Sequence, residues 1–171
     1  TILVHCQKAN KTEAELAEEA RERVEIEEFK KVPPIVVDFA LNETNFFDYV
    51  TSDSEWFIFF YNPRCRYCKK AFREWQKLPQ AIKDKNIKFA GVDVVEVTED
   101  FRRAFKTNWV PQFKYFKKGK VYTYDVDANR TVELWKEFLE IGYKNLTAEP
   151  MPRLPTQLEL AFREFKAFFR E

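Results

Sequence analysis

Two cysteines separated by two residues, Cys65 and Cys68, carry the clearest chemistry in this sequence. Such a C-x-x-C pair alternates between a dithiol and a disulfide in some proteins and supplies zinc ligands in others. The residues that follow predict a helix starting at Cys65, where unpaired backbone N–H groups and the helix dipole stabilise a thiolate. Cys68, one turn further along, would be the shielded thiol. The same thiolate is favoured by the surrounding basic residues Arg64, Arg66, Lys69, Lys70 and Arg73.

This arrangement predicts a two-step exchange of disulfides. The Cys65 thiolate attacks a substrate disulfide and forms a mixed disulfide, which Cys68 resolves as the Cys65–Cys68 disulfide forms; oxidation of a substrate runs in reverse. Zinc binding is the alternative, but the only other cysteine and the only histidine, Cys6 and His5, lie near the N-terminus. With Cys6 and His5 so far away, the only remaining candidate zinc ligands would be residues adjacent to the cysteine pair, which suit a tetrahedral site poorly, so we expect neither a metal nor a cofactor. Cys6 and His5 are expected in an exposed tail, where Cys6 could bond to a partner chain.

The elements that must position the pair follow from the hydrophobic pattern. The apolar run at 56–61 predicts a central strand buried on both faces, and Asn62-Pro63 ends it. The other segments are a β-branched run at 35–37, a helix capped by Asn42 with Phe46, Phe47 and Val50 buried, a helix from Cys65 to about Asp84, a strand at 87–95, a short helix from Thr98 or Glu99 to Phe105, hairpin strands at 113–116 and 121–124, and a final amphipathic helix with Val132 to Ile141. The order β-α-β-α-β-α-β-β-α predicts an α/β fold with a central mixed sheet flanked by helices.

Two extensions flank this domain. Residues 12–30 predict a helix with a narrow apolar stripe through Leu16, Ala20, Val24 and Ile26, and Pro33-Pro34 stops it. We therefore divide the chain into an N-terminal extension at 1–33, a domain at 34–145, and a linker with a C-terminal helix at 146–171. That last helix, with apolar Leu158, Ala161, Phe162 and Phe165, could dock on its own domain, bind a partner protein, or precede a membrane anchor beyond residue 171.

Composition excludes some classes of protein. A formal net charge of +1 excludes a strongly basic nucleic-acid-binding protein, and no apolar run reaches the ~18 residues of a membrane span. The first ten residues show no signal peptide, and a start at Thr1 suggests processing or trimming. Four N-x-T sequons, at Asn10, Asn42, Asn129 and Asn145, exceed the roughly one expected by chance. They favour a glycoprotein of the endoplasmic reticulum lumen or another secretory compartment, where disulfides persist. The alternative is that the sequons occur by coincidence in a cytosolic protein.

The stretch FFYNPRCRYCKKAFREWQKLPQAIKDKNIKFAGVD, followed by WVPQFKYFKKGK, resembles the catalytic domain of the protein disulfide isomerase family. The likeness covers about residues 35–143 and implies a thioredoxin fold and a thiol–disulfide oxidoreductase that acts on protein substrates. By this resemblance Pro111 is the cis-proline beside the dithiol, and the Val110 backbone pairs with an extended substrate. Arg130 matches a mobile-loop arginine that approaches the buried cysteine, or is a solvated residue at a helix start.

Other residues of the motif region are candidates for substrate contact. Arg66 and Tyr67 lie between the cysteines, and Tyr67 and Trp109 could form an apolar rim, although core packing explains Trp109 equally well. The sequence departs from the family at Phe59, where a buried carboxylate is usual, at Arg64, at Arg66-Tyr67 and at Arg73. Without that carboxylate we expect a slow, oxidant-leaning enzyme. The alternative is a catalytically weak binding or scaffold module in a larger lumenal or membrane assembly.

Overall fold

A computed structural model describes residues 12–82 and 86–168. Within residues 35–82 and 86–168 the chain forms a six-stranded mixed sheet flanked by helices. The strands are β1 Ala40–Leu41, β2 Glu55–Tyr61, β3 Ile87–Asp93, β4 Gln112–Lys117, β5 Lys120–Thr123 and β6 Glu149–Pro150. The helices are α1 Glu13–Lys30, α2 Phe46–Tyr49, α3 Arg66–Trp75, α4 Leu78–Ala81, α5 Glu99–Ala104, α6 Val132–Glu140 and α7 Gln157–Phe168, with a 3₁₀ turn at Gly142–Asn145. His5, Cys6, Asn10 and Asp84 lie outside the described residues.

The chain divides into two compact units between Pro34 and Ile35. The first contains α1, whose start is fixed by a capping box: Glu15 N–H donates to Thr12 Oγ1 at 3.3 Å, and Thr12 N–H donates to Glu15 Oε2 at 2.7 Å. The second unit contains the sheet and all the other helices.

The sheet has the strand order β1-β3-β2-β4-β5-β6. Strands β1, β2 and β3 run parallel, whereas β4 is antiparallel to β2 and pairs with β5 as a hairpin. This confirms the predicted α/β order and places β2, next to the dithiol, at the centre. As expected for a strand buried on both faces, Phe57 and Phe59 enter one hydrophobic cluster while Ile58 and Phe60 enter the other.

The β-branched pattern predicted the first strand at 35–37, and this prediction is wrong. The strand lies at Ala40–Leu41, where Ala40 pairs with Gly91. Val37 instead packs its side chain over Gly91: a Cβ added to this glycine would lie 2.6 Å from Val37 Cγ1. The absence of a side chain at Gly91 therefore lets the segment before β1 approach the sheet closely.

Three local predictions need correction. The helix expected from Cys65 to about Asp84 is broken after Trp75, and α4 restarts with Pro79 in its first turn, where the missing N–H is harmless. Asn42 is not the cap of α2, which begins at Phe46; its Oδ1 accepts from the Thr44 and Asn45 backbone N–H groups and so fixes the preceding turn. Phe47, expected to be buried, is exposed.

The segment expected to be a linker contributes to the sheet. Glu149–Pro150 forms β6 beside β5, and the Met151 N–H donates to the Gly119 carbonyl at 3.0 Å. Beyond it, Arg163 of α7 makes a bidentate ion pair with Asp100 at 2.6 and 2.8 Å. The C-terminal helix thus contacts its own domain through charge, while the apolar side chains of Leu158 and Phe162 are exposed.

Candidate dithiol site

The turn between β2 and α3 places Cys65 at the N-cap of the helix. Asn62 shapes this turn, because its carbonyl accepts from the Cys65 N–H at 3.0 Å and its Oδ1 accepts from the Arg64 N–H at 2.9 Å. The Cys65 backbone is extended and its carbonyl accepts the first helical bond, from Lys69, at 3.0 Å. The hydrophobic pattern predicted only the end of a strand at Asn62, although the Asn-Pro pair is itself a signal for such a turn.

The two thiols differ in accessibility, as the sequence predicted. Both are free, and Cys65 is half-buried whereas Cys68 is fully buried. Burial raises the pKa of the Cys68 thiol well above its ordinary value, a hydrogen bond with the Asn62 backbone lowers it, and interaction with Cys65 raises it again. The positive charge of Arg130 also lowers the pKa of Cys68. Cys68 is therefore a protonated, shielded thiol that must lose its proton before it reacts.

An aromatic layer lies beneath α3. Phe59 is fully buried in the cluster that contains Cys68, and its ring stacks on Phe113 with centroids 5.0 Å apart and planes 5° apart. Trp75 of α3 packs on the same ring at 5.5 Å. The position at which the resemblance implies a carboxylate thus holds a well-packed phenyl group.

The segment before β4 lies beside the exposed thiol. The Val110–Pro111 peptide bond is cis, the geometry that the resemblance implied, and the Cys65 Sγ is 3.9 Å from the Val110 carbonyl oxygen. Gln112 is buried and its Nε2 donates to the Lys106 and Trp109 carbonyls at 2.9 and 3.0 Å. This side chain fixes the preceding loop, a role that its position after a proline did not reveal.

The proposed rim residues lie at the surface. Tyr67 is 65% exposed and Trp109 is 47% exposed, so the core-packing interpretation of Trp109 is wrong. Arg66, at the start of α3, is partly buried. The structure therefore places two large apolar side chains within the accessible surface around the dithiol.

Arg130 is partly buried and lies at the end of the segment 127–131, close enough for its charge to act on Cys68. Its Nη2 donates to the Val126 carbonyl at 2.8 Å. Between this segment and α3 is a cavity of about 560 Å³, which we call the α3 groove. Its lining residues are Tyr67, Lys70, Ala71, Arg73, Glu74, Asp127, Ala128, Asn129, Arg130 and Thr131.

The sequons in the described residues lie at the surface. Asn42, Asn129 and Asn145 are exposed. Across 12–82 and 86–168, His, Cys, Asp and Glu side chains form no group of three or more suited to a metal ion. In the same residues, none of the helices has the length and apolar character required to cross a membrane.

Comparison with known proteins agrees with the fold. The thioredoxin family model matches residues 37–140. A thioredoxin domain-containing protein of Theileria parva is 34% identical over 119 residues, which are 66% of this chain and 52% of that protein. Protein disulfide-isomerase A4 of Mus musculus is 30% identical over 118 residues, 68% of this chain and 18% of that protein.

A solved structure gives the same result. The solution structure of the first thioredoxin domain of mouse protein disulfide-isomerase A4 superposes with a TM-score of 0.53 at 27% identity, covering 68% of this chain and 84% of that domain. The chain spans about half the length of the Theileria relative and under a fifth of the mouse relative. The chain belongs to the thioredoxin family, and its domain is related to those of the protein disulfide isomerases.

Proposed function

We propose that this domain is a thiol–disulfide oxidoreductase of the protein disulfide isomerase type that acts on protein substrates. The Cys65 thiolate attacks one sulfur of a client disulfide; the S–S bond breaks and the leaving client thiolate takes a proton. Cys68 then loses its proton and attacks Cys65 Sγ, which releases the second client thiol and leaves a Cys65–Cys68 disulfide. Two electrons pass from the dithiol to the client, and the reverse sequence oxidises a client.

The observation that carries this proposal is the asymmetry of the pair. An accessible thiol at a helix N-cap beside a fully buried thiol suits attack followed by resolution. The Val110 carbonyl, 3.9 Å from the Cys65 sulfur, lies where an extended client backbone would pass. Arg66, Tyr67 and Trp109 would then contact the client side chains, and the charge of Arg130 would assist deprotonation of Cys68.

The pair of cysteine variants tests the assignment. Reduced Cys68→Ala protein mixed with insulin should accumulate a covalent adduct on a non-reducing gel, because the resolving step is missing. Cys65→Ala should form no adduct, since the remaining thiol is buried and protonated. Equal adduct from both variants, or none from Cys68→Ala, would contradict the roles.

We also propose that the chain is a lumenal glycoprotein, supported by four sequons of which the three in the described residues are exposed. Glycosidase treatment of the native protein should increase its gel mobility, because we expect a glycan at one or more of the sequons, and an Asn-to-Gln variant at each occupied site among Asn42, Asn129 and Asn145 should reduce the shift. Native protein that carries no glycan at Asn10 or at these three sites would remove the main support for this compartment.

A second candidate function is a binding or scaffold module with little turnover. The observation that favours it is Phe59, which cannot exchange a proton with Cys68. Without a buried carboxylate at this position we also expect the pair to be more oxidising than in relatives that carry one. Wild-type protein that binds insulin non-covalently but neither reduces it nor forms adducts when Cys68 is replaced would favour the scaffold.

A further inference from the structure

The α3 groove lies directly beside the dithiol. Tyr67, between the two cysteines in sequence, is one of its lining residues, and Lys70, Ala71 and Glu74 follow at the spacing that places them on the same face of α3. The opposite wall is the segment 127–131, which ends next to α6. A client segment attached to Cys65 and passing over Tyr67 would therefore enter this groove.

The groove carries positive charge that the described residues do not neutralise by ion pairs. Within the described part of the chain, neither Lys70 nor Arg73 nor Arg130 takes part in an ion pair, and Arg130 donates to a backbone carbonyl instead. The carboxylate of Glu74 already forms an ion pair with Lys77. Asp127 is the remaining acidic lining residue, so cations predominate.

We propose that the α3 groove binds acidic side chains flanking the reacting cysteine of a client, so that this domain prefers disulfides in acidic segments. Guanidinium groups such as those of Arg73 and Arg130 match a carboxylate in charge and in hydrogen-bonding geometry. The phenol ring of Tyr67 offers an apolar surface for the stems of Asp and Glu. This inference rests on the proposed oxidoreductase function and names the class of client for it.

The test uses two synthetic peptides that each carry one cysteine as a mixed disulfide with 2-thiopyridine, a neutral leaving group. One peptide has Glu and Asp on both sides of the cysteine, and the other has Lys at the same positions. Attack by Cys65 on the peptide sulfur breaks the S–S bond and releases pyridine-2-thione, which is measured by absorbance. Each rate is divided by that of the same peptide with dithiothreitol, which corrects for intrinsic reactivity.

At low ionic strength the acidic peptide should react at least about tenfold faster than the basic peptide, the lower end of typical electrostatic acceleration. The preference should nearly disappear at about 1 M salt, where the Debye length falls to about 3 Å. Lys70→Glu/Arg73→Glu should abolish or reverse it. The control Lys118→Glu/Lys120→Glu changes the net charge equally, at the β4–β5 turn remote from Pro111, and should retain it.

Two results would overturn the inference in distinguishable ways. If both peptides react at equal corrected rates at low salt, or if the two double variants behave alike, the groove does not select acidic clients, while the oxidoreductase proposal stands. If neither peptide releases pyridine-2-thione, the proposed function is wrong and this inference is wrong with it. The salt series on the wild-type protein gives the answer even if a variant fails to fold.

Discussion

Replacing Phe59 with Glu should accelerate release of a client from Cys65 by about 10²-fold or more, provided that the variant folds. Resolution requires the buried Cys68 thiol, whose pKa is raised by burial, to lose its proton. The phenyl ring beneath α3 cannot accept that proton. A positioned general base typically contributes 10²- to 10⁴-fold, and burial would bring a carboxyl pKa at this position nearer to the working pH.

The substitution has a cost that the experiment must include. Phe59 stacks face to face on Phe113 and packs against Trp75, so its replacement removes buried apolar contact and places an unpaired carboxyl in the core. Phe57→Glu is the matched control, because Phe57 is equally buried on the same strand and face but lies two residues further from the dithiol turn. It should lose comparable stability without accelerating release.

The measurement is a single-turnover reaction quenched with acid, in which the decay of the mixed disulfide is followed by mass spectrometry. In the wild-type protein, release should rise about tenfold per pH unit below the raised pKa of Cys68, since only the deprotonated thiol reacts. In Phe59→Glu this dependence should flatten. A folded Phe59→Glu variant whose release rate and pH dependence match those of the wild type would contradict the proton-transfer argument and favour the scaffold function.

Replacing Lys114 with Met should raise the free energy of unfolding at pH 7 by about 2 kcal/mol. Lys114 of β4 is buried and its Nζ donates to Thr123 Oγ1 at 3.0 Å. Burial lowers its pKa from 10.5 to about 8; the negative charge of Glu149 opposes this and the positive charge of Lys106 adds to it. Such a shift means that the charged lysine destabilises the folded wild-type protein by about 3 kcal/mol. The methionine variant escapes this cost but loses the hydrogen bond to Thr123, which is worth about 1 kcal/mol.

The pH dependence gives this prediction its sign. Between pH 8 and 10.5 the unfolded chain binds more protons at this lysine than the folded one. Stability from this site is therefore lowest below pH 8 and rises as the pH increases through that window. In Lys114→Met this rise should be absent, so the difference between the two proteins should shrink as the pH increases.

Urea denaturation of both proteins at several pH values between 7 and 10 measures the difference directly. Lys120→Met, at an exposed position of β5, is the matched control and should change stability by less than about 0.5 kcal/mol at any of these pH values. A Lys114→Met protein that is less stable than the wild type at pH 7, or whose advantage is independent of pH, would contradict the assignment.

The fold and the placement of the two thiols could be predicted because they depend on local patterns. The uninterrupted apolar run of β2 predicts a strand buried on both faces. The cysteine spacing at the start of a helix predicts one accessible thiol and one buried thiol. The departures from the family pattern could also be read from the sequence, such as Phe59 in place of the usual carboxylate. Those features follow from the types and order of neighbouring residues.

The remaining features depend on contacts distant in sequence. No pattern near Glu149–Pro150 indicates a strand, because its pairing is supplied by β5. A lysine is expected to be exposed because of its charge. Lys114 is buried because it lies on β4, in the interior of the sheet. The α3 groove forms only when the segment 127–131 folds against a helix that lies more than fifty residues earlier. Sequence alone identified its basic residues but not their common surface.

The short sixth strand also determines how the sheet meets its surroundings. An uncovered β5 would present a row of free N–H and C=O groups, the kind of edge that templates pairing between molecules. Glu149–Pro150 pairs with Lys120 and Val121, the first half of that edge, and Pro150, which has no N–H to donate, cannot extend the ladder as an ordinary residue would. The segment thus protects this part of β5 from edge-to-edge pairing between molecules. Residues whose composition resembles that of an ordinary connector therefore favour solubility.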